Sequence, residues 1–258
     1  MKKIKKLFSF LGPGFITGAS DDDPSGIATY SQTGALFGFQ QAWTALFSFP
    51  LMTVVQEMCG RIGLVTGKGL AGVIKEHYSK KLLYTAVFLL VVANTVNIGA
   101  DLGAMAAAAQ LVFGLPFIAW VVGMVVVTLL LEMFVSYKVY SSYLKYLALA
   151  LLAYVFTALV VKIAWSAVFV STITPHIEMS RDYIFNIVAI LGTTISPYIF
   201  FWQANEEVEE QVVHHKLRQL GAGQPRVTPS DISRLRIDTT IGMFFSNLIM
   251  FFIIVTTG

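Results

Sequence analysis

The sequence predicts an all-α integral membrane protein, and three observations carry that prediction. Of its 258 residues 56% are hydrophobic and only 13% charged, whereas a soluble domain carries about 25% charge. The apolar residues gather in long uninterrupted runs, and lipid offers backbone polar groups no partner outside a helix or a closed barrel. Barrel strands would alternate over about ten residues, and runs such as Val121 to Leu131 do not. This composition accommodates roughly seven spans of about 20 residues with short loops. It argues against a separate soluble domain or an enzyme with an exposed cleft.

The spans fall at residues 12–34, 42–59, 83–112, 117–135, 146–170, 184–204 and 240–257, each recognised by apolar length. Their orientation follows from lysine and arginine. With the N-terminus cytoplasmic, the inner segments hold Lys2, Lys3, Lys5 and Lys6; Arg61, Lys68, Lys75, Lys80 and Lys81; Lys138 and Lys145; and Lys216, Arg218, Arg226, Arg234 and Arg236. That is 16 of the 18 basic residues, the asymmetry the positive-inside rule demands. The net charge of +3 is thus a topology signal, since the basic residues do not cluster on one face as nucleic-acid binding requires. The expected setting is the plasma membrane, multi-pass, with a lipid partner and no nucleic acid; oligomeric state is not legible. Cys59 is the single cysteine and can form neither an intrachain disulfide nor a Cys-rich metal site. The start, Met1 to Lys6, resembles a signal peptide's charged region, but the following stretch has no small-residue cleavage site and is read as retained.

Two spans are interrupted. The first is broken by Gly18-Ala-Ser-Asp-Asp-Asp-Pro-Ser-Gly26, where three carboxylates and a proline make a continuous helix improbable. Unwound backbone at membrane depth is tolerated only where protein encloses it or it lines a cavity, and a broken helix with acidic residues at the midplane is a common build of ion-coupled transporter sites. The competing reading is two interfacial pieces joined by a solvated acidic turn. The sixth span carries Gly192-Thr-Thr-Ile-Ser-Pro-Tyr198, read either as a proline kink whose hydroxyls bond back to the helix or as a second site half. Two broken segments five spans apart are what an inverted repeat of five helices produces.

Charges at membrane depth are expensive and draw functional suspicion by default. Asp101 follows Asn94 and Asn97, so these groups can share one helical face; they line an ion path or tie helices together. Glu57 and Glu132 sit near span ends and read as structural. The run Glu206 to Glu210 either concentrates cations or forms a solvated face, the more common meaning. His214 and His215 lack spaced partner ligands for a metal. No phosphate loop, catalytic triad order or His-Glu-x-x-His pattern occurs, so no catalytic residue and no cofactor is expected, and the protein is not read as an enzyme.

From Gly12 to the end, the chain resembles the NRAMP family of divalent-metal transporters. Gly12-Pro-Gly-Phe15, Asp23-Pro24, Thr33-Gly-Ala-Leu-Phe-Gly-Phe39 and Arg61-Ile-Gly-Leu-Val-Thr-Gly-Lys68 are similar in order and spacing to that family's first two helices. The resemblance implies a LeuT-like inverted-repeat bundle in which helices 1 and 6 are broken. The family's Asp-Pro-Gly-Asn looks like Asp23-Pro24-Ser25-Gly26, which puts Asp23 on the metal-binding aspartate and Gly26 in the place of the ligand asparagine. Its Met-Pro-His resembles Ser196-Pro197-Tyr198, so Ser196 replaces the methionine ligand and Tyr198 a histidine linked to proton handling. The family's carbonyl ligand falls on Thr193. Asp101 looks like the acidic residue that accompanies proton transfer, with Asn97 beside it and Ile98 where its usual aspartate partner stands.

These departures have a chemical direction. A thioether favours softer metals, while carboxylate, hydroxyl and carbonyl oxygens suit hard cations. Magnesium sheds its waters reluctantly, and a roomy Gly26 would admit a partly hydrated ion. The resemblance therefore implies a transporter of Mg²⁺, Mn²⁺ or Fe²⁺ by alternating access, with a weakened expectation of proton coupling and the divalent cation as substrate. The alternative is a sodium- or proton-coupled amino-acid or solute carrier of the same architecture, which the triple aspartate disfavours. A third reading is a membrane or assembly protein whose breaks are only kinks. The family has about eleven helices, so about seven here correspond to a first five-helix repeat over about 12–170 and the opening of a second over about 184–258, with the remainder missing. The chain is therefore expected to be a fragment, incapable of transport alone.

Overall fold

A computed structural model describes residues 12–135, 139, 143, 147–219, 221, 223 and 225–258. The topology lysines Lys2, Lys3, Lys5, Lys6, Lys138 and Lys145 lie outside the described residues. Among the described residues there is no β-strand. The helices in order are α1 (Pro13–Asp21), α2 (Pro24–Phe37), α3 (Trp43–Thr66), α4 (Leu70–His77), α5 (Lys80–Phe113), α6 (Phe117–Phe134), α7 (Leu152–Val160), α8 (Trp165–Ile173), α9 (Arg181–Thr194), α10 (Pro197–Val213) and α11 (Pro229–Thr257).

Both expected breaks are present, and they share one backbone solution. Asp22 (φ −84°, ψ 57°) and Asp23 (φ −71°, ψ 169°) separate α1 from α2. Ile195 (φ −108°, ψ 61°) and Ser196 (φ −84°, ψ 129°) separate α9 from α10. In each case a proline opens the second half-helix. Its ring drives the preceding residue out of the helical region, and its missing N–H is one of the donors a helix start leaves unpaired anyway.

By length and composition the stretches 80–113, 117–134, 181–213 and 229–257 can cross a membrane. The other three expected spans correspond to the α1–α2 pair, to α3, and to α7 with α8. α3 runs 24 residues but carries Glu57 and Arg61 inside its C-terminal half. The fifth expected span, 146–170, is not one helix: the chain leaves helical geometry at Val161 and resumes after Ala164. The gap contains Lys162, whose charge and entropy favour solvent over an apolar run.

The α5 and α6 pair, beginning at the Ser79 cap of α5, is exposed along most of its length, with Phe88, Val96, Leu111, Ile118 and Met133 all outward. The core lies on the other side, where α11 packs against α1, α2, α3 and α7, and α10 packs against α3. Tyr30, Ile190, Ile249, Met250, Ile253 and Ile254 are fully buried there.

α11 runs parallel to the whole broken helix. Gly14 lies against Thr239, Gly18 against Gly242, and Gly34 against Ile254 and Thr257. A Cβ on Gly14 would stand 2.6 Å from the Thr239 amide nitrogen. Small residues at this spacing let two membrane helices touch backbone to backbone. The N-terminus of α1 is also held from α11: Gly12 and Gly14 donate their N–H groups to the two oxygens of the buried Asp238, at 2.8 Å each.

Candidate cation site at the two helix breaks

The carboxylate of Asp23 sits where α2 begins. Its Oδ1 accepts from the Gly26 N–H at 2.7 Å and lies 2.8 Å from the Ser25 hydroxyl. Its Oδ2 accepts from Asn97 Nδ2 and from the Tyr198 hydroxyl, both at 2.9 Å. The two breaks are therefore joined through one side chain, Asp23 of the first reaching Tyr198 just past the second.

Asp101 completes the cluster from α5. Its Oδ1 accepts the Ser25 N–H at 2.9 Å and its Oδ2 lies 3.2 Å from Asn97 Nδ2. Asn97 thus spends its two N–H bonds on two different carboxylates, one turn of helix keeping it beside Asp101. The first N–H groups of α2, at Ser25 and Gly26, are met by carboxylates; Pro24 has none. Negative charge is stabilised at that end of the helix dipole. Asn94, expected on the same face, takes no part in the cluster.

Ser196 stands at the N-cap position of α10 but makes no cap bond; its hydroxyl points back, donating to the Gly192 carbonyl at 2.9 Å and to that of Thr193 at 2.7 Å. The Thr193 hydroxyl is buried without a partner. Gly26 is not the open space expected of it. A Cβ there would stand 3.2 Å from Asp23 Oδ1 and 3.3 Å from both the Asp21 carbonyl and Thr193 Oγ1. The glycine lets the two breaks approach each other. Room lies beside it, in an open cavity of about 460 Å³ lined by Ser25, Thr29, Asn97, Thr193, Ser196 and Tyr198 among others. Ala93, Val96, Ala100 and Pro197 make much of its wall apolar, and the polar groups among its lining residues, the hydroxyls of Ser25, Thr29, Thr193 and Ser196, the Asn97 amide and the Tyr198 phenol, offer oxygen donors of the kind that suit hard cations.

Below the break a second polar layer ties α1 to α10 and α3. Thr17 is hydrogen-bonded to Gln203, which also lies 3.3 Å from Gln56 Nε2 and donates to Glu207 at 2.9 Å. Glu206 accepts from the Trp202 indole at 2.8 Å. Glu206 and Glu207 are buried, so the acidic run is not the solvated face its composition suggests; only its outer members are half-exposed. His214 pairs with Glu210 at 3.0 Å, and among the described residues no three or more His, Cys, Asp or Glu side chains gather as a metal-holding group. Asp238, Gln203 and Gln56 were not singled out by sequence reasoning. The signal available for Asp238 was its place as the last charged residue of α11, four residues before Gly242.

An all-α membrane protein whose two half-broken helices meet at a carboxylate is a LeuT-like inverted-repeat bundle. Within that class the chain belongs to the Nramp family, described as natural resistance-associated macrophage protein-like, which matches residues 14–258. It is 28% identical over 209 residues to the divalent metal cation transporter MntH of Verminephrobacter eiseniae, covering 76% of this chain and 45% of that one. The MntH of Erwinia tasmaniensis is 26% identical over 255 residues, 96% of this chain and 57% of the relative. Among solved structures, the manganese transporter of Eremococcus coleocola superposes with a TM-score of 0.75 at 19% identity, over 98% of this chain and 52% of that one. The chain spans about half the length of the relatives it matches.

Proposed function

We propose that this chain carries the cation-binding half of a divalent-metal transporter, with the ion held between the two broken helices. Asp23 supplies charge and oxygen, Ser196 and the Thr193 carbonyl contribute further oxygens, and the position of Gly26 brings the breaks together. Asp101, Asn97 and Tyr198 form the surrounding network and the polar route toward Asp23. The observation that carries this reading is the meeting of both breaks, through Asp23 and Tyr198, beside a cavity of about 460 Å³.

The absence of a sulfur donor around Asp23 favours Mg²⁺ alongside Mn²⁺ over softer ions. Residues 12–170 act as the first five-helix repeat and 184–258 as the start of the second, with the N-terminus cytoplasmic and access alternating as helices one and six rock. An organic carboxylate substrate fits poorly next to the carboxylates of Asp23 and Asp101, which disfavours the solute-carrier reading.

The test is isothermal titration of Mg²⁺ and Mn²⁺ into the detergent-purified protein, with and without Asp23→Asn. The expected result is that both metals bind within about tenfold of each other and that the variant loses that class of site. Removal of even an indirect partner of a metal costs about 10- to 100-fold in affinity, and a direct carboxylate ligand at least as much. Binding of manganese alone overturns the hard-cation assignment, and unchanged binding in the variant overturns the site.

A further inference from the structure

Asp21 and Asp22 do not belong to the Asp23 cluster. They close α1, and the chain turns there so that Asp23 faces α5 and α10 while Asp21 faces α11. Ser246 of α11 donates to Asp21 Oδ2 at 3.0 Å. The contact of Gly18 with Gly242 places residues three to four positions further along each helix side by side, which brings Asp21 and Asp22 level with Ser246.

Asp21 is 0% exposed and Asp22 5%. Three of their four oxygens, Asp21 Oδ1 and both oxygens of Asp22, are buried with no hydrogen-bond partner. Among the described residues no ion pair reaches either carboxylate. Their position makes this costlier still. They sit at the C-terminal end of α1, where the helix dipole is negative and the last carbonyls are unpaired, so the local field repels a carboxylate and attracts a cation. Buried carboxylates without partners are strongly unfavourable unless something compensates them.

We infer that Asp21, Asp22 and Ser246 form a second site for a divalent hard cation, on the α11 side of the break and separate from Asp23. The donor set is oxygen only: two carboxylates, one hydroxyl and the free carbonyls at the end of α1. Two negative charges match one divalent ion, and the absence of sulfur and imidazole selects Mg²⁺ or Mn²⁺ over softer metals. The Ser246 proton is engaged by Asp21, which leaves the hydroxyl lone pairs for the ion.

Equilibrium dialysis of Mn²⁺ against the full chain, purified in detergent, tests it by counting. The wild type binds two equivalents, Asp23→Asn binds one, Asp22→Asn binds one, and the double variant binds none. Ser246→Ala keeps both equivalents but weakens, about tenfold, the site that Asp22→Asn abolishes. Two equivalents in Asp22→Asn, or a single wild-type equivalent abolished by Asp23→Asn, overturns the second site. If Asp22→Asn fails to fold, Ser246→Ala decides alone, and unchanged affinity at both sites overturns the inference. Loss of one equivalent in Asp22→Asn but none in Asp23→Asn would refute the Asp23 reading while leaving this one standing.

Discussion

Replacing Gly18 by alanine tests whether the backbone contact between α1 and α11 holds the broken helix in place. In a helix interior, alanine is ordinarily favoured over glycine by about 0.5–1 kcal/mol. At Gly18 the added Cβ would stand 2.7 Å from Gly242 Cα, with the Gly242 carbonyl carbon and oxygen nearer still. Those are backbone atoms, so no rotamer relieves the clash. Restoring an ordinary contact of about 3.4 Å to the Gly242 carbonyl carbon, 2.3 Å away, requires the helices to part by roughly 1.1 Å, and overpacking of that kind costs about 1–3 kcal/mol. The net expectation is a destabilisation of about 1–2 kcal/mol. Gly99 and Gly103 of α5, where a Cβ meets nothing within 4 Å, provide the controls and should gain from the same substitution. For a chain of this size 1 kcal/mol corresponds to about 2–4 °C, so thermal unfolding in one detergent should place Gly18→Ala several degrees below wild type and Gly99→Ala at or above it. If Gly18→Ala melts as high as Gly99→Ala, α1 and α11 do not touch as described and the register is wrong.

Other substitutions probe the polar contacts. Asp238→Asn exchanges one of two carboxylate acceptors for a donor that faces an N–H, so it should destabilise by about 1–3 kcal/mol through a lost cap and an unpaired amide; thermal unfolding beside Asp238→Glu checks it. Tyr198→Phe removes one of the donors that compete with a cation for Asp23 Oδ2. A hydrogen bond to a charged group is worth about 1.5–3 kcal/mol, so Mg²⁺ affinity at the Asp23 site should rise, by about tenfold at the low end of that range; weaker binding in titration would make the phenol a ligand instead. Glu57→Gln breaks the ion pairs with Arg61 and Arg236, whose side chains are 42% and 61% exposed. Such pairs contribute under about 1 kcal/mol and are screened by salt, so its melting temperature should approach wild type as ionic strength rises.

The breaks were legible because their cause is local. Proline restricts the residue before it, and polar runs such as Asp21-Asp22-Asp23 cannot continue an apolar helix, so composition placed the breaks within Gly18–Gly26 and Gly192–Tyr198, where they lie. The bonds that Asp23 makes to Ser25 and Gly26 are equally local. Its bonds to Asn97 and Tyr198 cross 74 and 175 residues, and no period in the sequence reports a pairing between helices that far apart. The same holds for Asp238 and for the glycines that face it. Burial of Glu206 and Glu207 was missed because an acidic run reads as solvated until the partner that covers it is known. The break in the fifth span was missed for the opposite reason: a single lysine is a weak signal inside an apolar stretch. Asp21, Asp22 and Asp23 read as one acidic group in sequence, whereas the turn after α1 sends them to opposite sides.

That division explains how a helix can be interrupted at membrane depth without loosening the bundle. A two-residue break removes intrahelical hydrogen bonds and leaves two half-helices that could pivot independently. α11 spans the interruption as one continuous 29-residue helix and contacts the broken helix before, at and beyond the break, through Asp238, Gly242, Ser246 and Ile254 in turn. Each of those contacts is backbone to backbone or to a carboxylate, so it fixes register more tightly than apolar side chains would. Asp23 is then free to face the other way, with its charge held by donors from α2, α5 and α10.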